Sequence, residues 1–227
     1  MNIVHRNDLH RGGFAGLKET RMVMDPKAWG SHVEPGARQG LGNFVYLADA
    51  RFLPHGETKM HPHREIDVIS IIMEGRIAHQ GSLEHGQELN VFDVQVQRAG
   101  GEGFYHNELN PDEVENRMLQ LWVLPEVPGE PAGYQVFRPE SGQRLRIYGG
   151  SSDQQETFPA KTVMEVARLN AGDELRQDSE FIAYVATGSG LANGEEVSEG
   201  DLLNGDSVSF LAQEESFLVL VHQGDMF

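Results

Sequence analysis

The sequence predicts an all-β chain made of two similar barrels or sandwiches in tandem. Three observations carry this expectation. Short apolar segments of strand length recur along the 227 residues, punctuated by glycine, and no stretch sustains a helical period. A proline and glycine crossing over residues 125–133 interrupts the pattern near the middle of the chain. The second half then repeats the first in outline, and a repeat of that size implies two related units.

Taken in order, residues 68–73 (Val-Ile-Ser-Ile-Ile-Met) read as a strand, Glu74-Gly75 as a tight turn and residues 76–80 as the return strand of a hairpin. Residues 91–97 alternate apolar and polar for most of their length, as a half-buried strand does. Residues 118–124 form a strongly apolar strand ended by Pro125. The second half answers with Gly172, a strand over 181–186 and the turn Thr187-Gly188. Asn193-Gly194 is a hairpin-turn signal, Gly200-Asp201 leads onward, and strands follow at 208–210 and 217–221. The expected division is residues 1–135 and 136–227.

Composition narrows the function. With 18 basic and 35 acidic residues the formal charge is −17, which repels phosphate backbones and anionic membrane surfaces and argues against direct nucleic-acid binding. Residues 1–16 contain no apolar stretch of signal-peptide length, and the longest apolar runs are too short to cross a bilayer, so a cytoplasmic protein is expected. There is no cysteine. Disulfides, thiolate nucleophiles and iron–sulfur clusters are thereby excluded, and any metal must be held by nitrogen and oxygen.

Two short motifs offer such donors. His61-Pro62-His63 and His106-Asn107-Glu108 each place two ligand side chains at i and i+2, which in an extended strand point to the same face. Two neighbouring strands would bring three imidazoles and a carboxylate into one pocket. That set suits a single divalent transition metal, with coordination positions left for substrate or dioxygen. The other histidines (His5, His10, His32, His55, His79, His85 and His222) read as surface or hydrogen-bonded residues. Five and seven residues beyond Gly56 stand His61 and His63; the same count from Gly172 reaches Gln177 and Ser179. The second barrel is therefore expected to lack the metal ligands.

Gly56, His61-x-His63, Asp67 and Gly75, followed by Gly103-Phe104-Tyr105-His106-Asn107-Glu108, resemble the two motifs of the cupin superfamily. His-Pro-His-Arg with the later Gly-x-x-His-x-Glu is similar, more narrowly, to the pirin family. The 45-residue interval from His61 to His106 fits that family's spacing. The resemblance implies a bicupin of two tandem jelly-roll-like cupin barrels, with one metal in the amino-terminal barrel held by His61, His63, His106 and Glu108. Iron stands ahead of copper, manganese, nickel, cobalt or zinc as that metal. Asp67 stands where pirins more often carry glutamate and would orient a ligand from behind. The segment 19–24 and the loop 82–86 also depart from the family pattern.

Several pirins are similar to quercetin dioxygenases, so the resemblance implies a ring-cleaving oxygenase using O2 on quercetin or a related small aromatic. Glu108 would be the general base, and Phe104, Tyr105 and Trp122 would be pocket walls. The alternative is a metal-containing, redox-sensing regulatory module that binds a protein partner without turnover. A metal-assisted isomerase or hydrolase on the same barrel is a third reading.

Overall fold

The computed structural model describes residues 1–14, 16–83 and 87–224. The chain groups into two compact units, one formed by residues 9–138 and the other by residues 1–8 with 139–227. Both are β-structures, and the fold is that of a bicupin.

In the unit of residues 9–138, a seven-stranded sheet runs in the order Gly133–Phe137, Val94–Arg98, Asp67–Glu74, Arg117–Val123, Phe44–Phe52, Leu17–Met24, Arg11–Phe14. A four-stranded sheet runs His61–His63, Phe104–Leu109, Arg76–Gly81, Gln87–Asn90. Every strand pair is antiparallel. Val68, Ile69, Ile71, Ile72 and Leu121 are wholly buried. A continuous apolar run such as 68–73 is what a strand covered on both faces requires. Arg117 is buried in the same sheet, and its Nε and Nη2 donate to Asp49 at 3.0 and 2.6 Å. A buried charge is tolerated only with such a paired partner.

The other unit repeats this layout. Its six-stranded sheet runs Asn2–His5, Asp201–Gly205, Phe181–Thr187, Ser216–Gln223, Ala160–Leu169, Gln143–Gly150, and its four-stranded sheet runs Glu174–Gln177, Val208–Ala212, Ser189–Ala192, Glu195–Ser198. Asn193 (φ 50°) and Gly194 (φ 84°) both take the left-handed conformation that a two-residue hairpin turn needs. Register shows the repeat. Gly75 and Gly188 close equivalent turns; four residues on, His79 pairs with Glu108 and Ala192 pairs with Phe210. His61 likewise pairs with His106, and Gln177 with Val208.

Two details differ from the sequence expectation. The division after residue 135 cuts the strand Gly133–Phe137, which pairs with Val94–Arg98 at the edge of the first large sheet; the amino-terminal strand Asn2–His5 covers the corresponding edge, Asp201–Gly205, in the other unit. An edge strand leaves backbone N–H and C=O groups unpaired, and these segments satisfy them. The strand expected over 91–97 begins only at Val94, because Phe92 sits at φ 71° and Val91–Phe92 form a turn, with Asp93 accepting from the Asn90 N–H at 3.0 Å.

Candidate metal centre

The strand His61–His63 pairs with Phe104–Leu109 so that His106 stands opposite His61 and Phe104 opposite His63. Alternation sends residues 104, 106 and 108 to one face and Tyr105 and Asn107 to the other. Three imidazoles converge. Their ring centroids are 4.9 Å apart for His61–His63, 4.5 Å for His61–His106 and 4.9 Å for His63–His106. One nitrogen from each ring lies within 4.8 Å of the other two, the one such group of potential ligands among the described residues.

The backbone and neighbouring side chains orient the rings. Lys59 adopts φ 63°, and its carbonyl accepts from His61 Nδ1 at 2.8 Å, which turns His61 Nε2 to within 3.1 Å of His106 Nε2. His106 Nδ1 lies 3.1 Å from Gln97 Nε2, while Gln97 Oε1 is buried without a hydrogen-bond partner. Rotating that amide by half a turn would let Oε1 accept Nδ1–H and leave Nε2 free to act as a donor atom. His63 Nε2 is also buried without a hydrogen-bond partner. Burial, reinforced by the neighbouring imidazoles, lowers His63 to about 4 and His106 to about 2, so both rings are neutral near pH 7. Neutral imidazole is the form that binds metal. The donor set therefore fits a divalent metal: three aimed nitrogens, one of them buried and unsatisfied.

Glu108 is fully buried but is not among those three converging ligands. Ser70 Oγ donates to its Oε1 at 2.5 Å and Gln120 Nε2 to its Oε2 at 3.1 Å, while its own backbone N–H donates to Thr58 Oγ1 at 3.0 Å. Burial pushes its carboxyl up to about 7, against the pull of the Ser70 and Gln120 hydrogen bonds. Asp67 Oδ1 accepts from the Ala99 N–H at 3.0 Å and so anchors the turn that leads into Phe104–Leu109. Phe104 is buried with its ring 5.3 Å from His63, whereas Tyr105 is 58% exposed on the opposite face and does not line the cavity.

Above the histidines opens a cavity of about 460 Å³. Trp122 lines it, 5.8 Å from His63, stacked on Trp29 at 5.5 Å with 6° between the planes and 4.5 Å from Tyr46. Trp29 is brought there by the one-turn helix Pro26–Trp29, which Asp25 caps by accepting the Lys27 N–H at 2.9 Å. Glu19 and Arg21, from the segment that departs from the family pattern, form the polar wall. Arg21 Nη2 lies 2.6 Å from Glu19 Oε1, and Tyr46 Oη donates to Glu19 Oε2 at 3.0 Å. Sequence reasoning flagged the segment that holds Glu19 but missed Trp29, Tyr46, Ser70, Gln97 and Gln120, because elements distant in the chain contribute them and no local spacing links them to the histidines. His79, taken from sequence as an ordinary histidine, is fully buried with its ring 5.7 Å from His106. The loop 82–86, noted as a departure, has residues 84–86, including His85, outside the described residues.

Comparison with known proteins agrees with this geometry. The Pirin family profile matches residues 30–123. A protein of Pseudomonas aeruginosa named "Putative quercetin 2,3-dioxygenase" is 31% identical over 174 residues, covering 71% of this chain and 75% of the relative. The chain belongs to the pirin family. A pirin-like protein of Caulobacter vibrioides is 29% identical over 76% of this chain and 80% of its own. Among solved structures, the bacterial pirin YhhW of Escherichia coli in complex with nickel(II) superposes with a TM-score of 0.82 at 18% identity, covering 97% of each chain. A quercetin 2,3-dioxygenase of Acinetobacter baumannii gives 0.70 at 20% identity, over 98% of this chain and 86% of that one. At those identities the two structures show the fold shared by this pirin. No helix among the described residues is long and apolar enough to cross a membrane.

Proposed function

We propose that this pirin is a metal-dependent dioxygenase acting with O2 on a small hydroxylated aromatic, with quercetin and related flavonols as the first substrates to test. The observation that carries the reading is the placement of three aimed imidazole nitrogens beneath a cavity walled by Trp29, Tyr46 and Trp122. Relatives named quercetin 2,3-dioxygenase support the reaction class. Iron is the first metal to try, held by His61, His63 and His106, with Glu108 the fourth ligand or the base. A metal there would lower the pKa of a bound enol or phenol and help electrons pass from that substrate to dioxygen.

The chain's own residues account for the rest. The stacked indoles and Tyr46 offer flat apolar faces that bind and orient an aromatic ring. The Glu19–Arg21–Tyr46 wall satisfies hydroxyl groups at the far end of the ring. Glu108, poised near 7, takes the substrate hydroxyl proton on Oε2, the oxygen that Gln120 connects to the cavity.

Both tryptophans of the chain line this cavity, so intrinsic fluorescence reports its occupancy directly. Quercetin should quench that fluorescence, and iron-loaded protein should consume O2 with it. Glu108→Gln should keep most of the quenching and lose most of the turnover. Quenching without O2 consumption under iron, copper, manganese, nickel or cobalt would leave the regulatory, protein-binding reading as the better one.

A further inference from the structure

The carboxy-terminal barrel has its own opening, a cavity of about 660 Å³, at the place corresponding to the metal-facing cavity of the other barrel. Register establishes the correspondence. Trp122 pairs with Val68, seven residues before the turn at Gly75, and His222 pairs with Phe181, seven before the turn at Gly188. Glu19 and Arg21 stand opposite Ala50 and Ala48; Arg144 and Arg146 stand opposite Ala167 and Glu165. Gln177 and Ser179 fall where His61 and His63 fall in the first barrel.

The same opening is therefore lined with different chemistry. His222 replaces an indole, Arg144 replaces the acid Glu19, and an amide and a hydroxyl replace two imidazoles. Arg144, Arg146 and Arg176 face Glu165 and Asp178 across the cavity, a local excess of positive charge on a chain whose formal charge is −17. Most of these groups are committed to one another. Arg144 donates to Glu165 Oε2, to the Arg176 carbonyl and to Gln177 Oε1; Arg176 is paired with Glu174; His222 Nε2 lies 3.2 Å from Glu165 Oε2.

Arg146 differs. Its guanidinium lines the cavity with no hydrogen bond or ion pair to any described residue. It lies over Gly150, at φ 105°, where an added Cβ would come within 2.7 Å of Nη1. The glycine thus leaves room for an arginine whose five donors meet no acceptor among the described residues.

We infer that the carboxy-terminal barrel binds a small molecule through its oxyanion, a carboxylate or a phosphate, seated on the Arg146 fork. A planar guanidinium matches two oxygens of either group, and its uncompensated charge holds the anion against the repulsion of the acidic surface. Gln177 and Ser179, bonded to each other at 2.8 Å, form the polar wall beside it, where the Ser179 hydroxyl proton can donate to the ligand.

Calorimetric titration of the full chain with benzoate, citrate and inorganic phosphate, at constant ionic strength, tests this. At least one should bind saturably and shift the Arg146 Nε–H resonance. Preference for the organic acids identifies a carboxylate site, and preference for phosphate a phosphate site. Arg146→Gln should weaken that binding about tenfold or more, Arg146→Lys less, and His63→Ala not at all. Absence of saturable binding in the wild type, unchanged binding in Arg146→Gln, or loss of binding in His63→Ala would each overturn the inference. Should Arg146→Gln fail to fold, an Arg146 resonance that stays fixed at saturating anion overturns it equally.

Discussion

Four positions of the amino-terminal barrel carry His61, His63, His106 and Glu108; by register and residue count, their counterparts in the carboxy-terminal barrel are Gln177, Ser179, Val208 and Phe210. The sheets are laid out in the same order, so the backbone does not require metal-ligand side chains at these places. What differs is how each interior deals with polarity. In the second barrel Val208 and Phe210 join an apolar cluster with Leu175, Phe181 and Leu220. In the first, a buried carboxyl group, neutral imidazoles and the Arg117–Asp49 pair occupy the interior; the carboxyl group and the ion pair have hydrogen-bond or charge partners, while His63 Nε2 has no hydrogen-bond partner. The comparison teaches that the fold does not require the first barrel's polar interior, since the second is laid out on the same plan without it; the proposed function gives that interior a reason.

The largest effect expected from breaking this asymmetry is on metal content. The His61→Ala, His63→Ala double variant should retain almost none of the metal bound by the wild type, as measured by elemental analysis of the purified protein. Full occupancy in that variant would move the centre elsewhere. Next comes the buried ion pair. Asp49→Ala removes the close carboxylate from the buried Arg117 guanidinium, leaving that of Glu74 at 3.9 Å, and should cost ~3–5 kcal/mol in urea unfolding. A loss below 1 kcal/mol would show that water reaches Arg117.

A smaller effect is expected in the second barrel, where the charges are closer to the surface. Burial raises the Glu165 carboxyl, yet the hydrogen bonds from His222 and Arg144 and the Arg144 charge hold it down at about 2, against an ordinary 4.5. Its stabilisation is present in full above pH 4.5 and is lost as pH falls through about 2. Glu165→Gln should therefore be destabilised by about 2 kcal/mol at pH 7, and the gap from wild type should close between pH 4.5 and 2. A gap independent of pH would assign the loss to packing. The smallest effect is local. Asp67→Asn weakens an acceptor for the Ala99 N–H and should cost about 1 kcal/mol in thermal unfolding, with metal affinity reduced by about tenfold if the turn before Phe104–Leu109 shifts. Unchanged stability and affinity would reduce Asp67 to an ordinary strand residue.

By itself the sequence determined the β-class, the repeat and the pairing of histidines, because strand alternation is a local property: His61 and His63 must share a face, and so must His106 and Glu108, wherever those strands lie. It also made Gln177 and Ser179 the counterparts of the His61–His63 pair, since equal spacing from equivalent glycines survives folding unchanged. Local pattern could not show that Gly133–Phe137 and Asn2–His5 each cover a sheet edge, because the need for cover arises only once the sheets exist. Nor could it show that Trp29 faces in; that Tyr105 faces away from the histidines was legible, because the alternation that puts His106 and Glu108 on one face puts Tyr105 on the other. Tertiary structure alone brought Trp29, Tyr46, Glu19 and Gln120 around the histidines and set Arg146 over Gly150 without a partner. Those arrangements join strands far apart in the chain, and whether a charge is buried, paired or left open depends on which side chains the sheet register sets beside it.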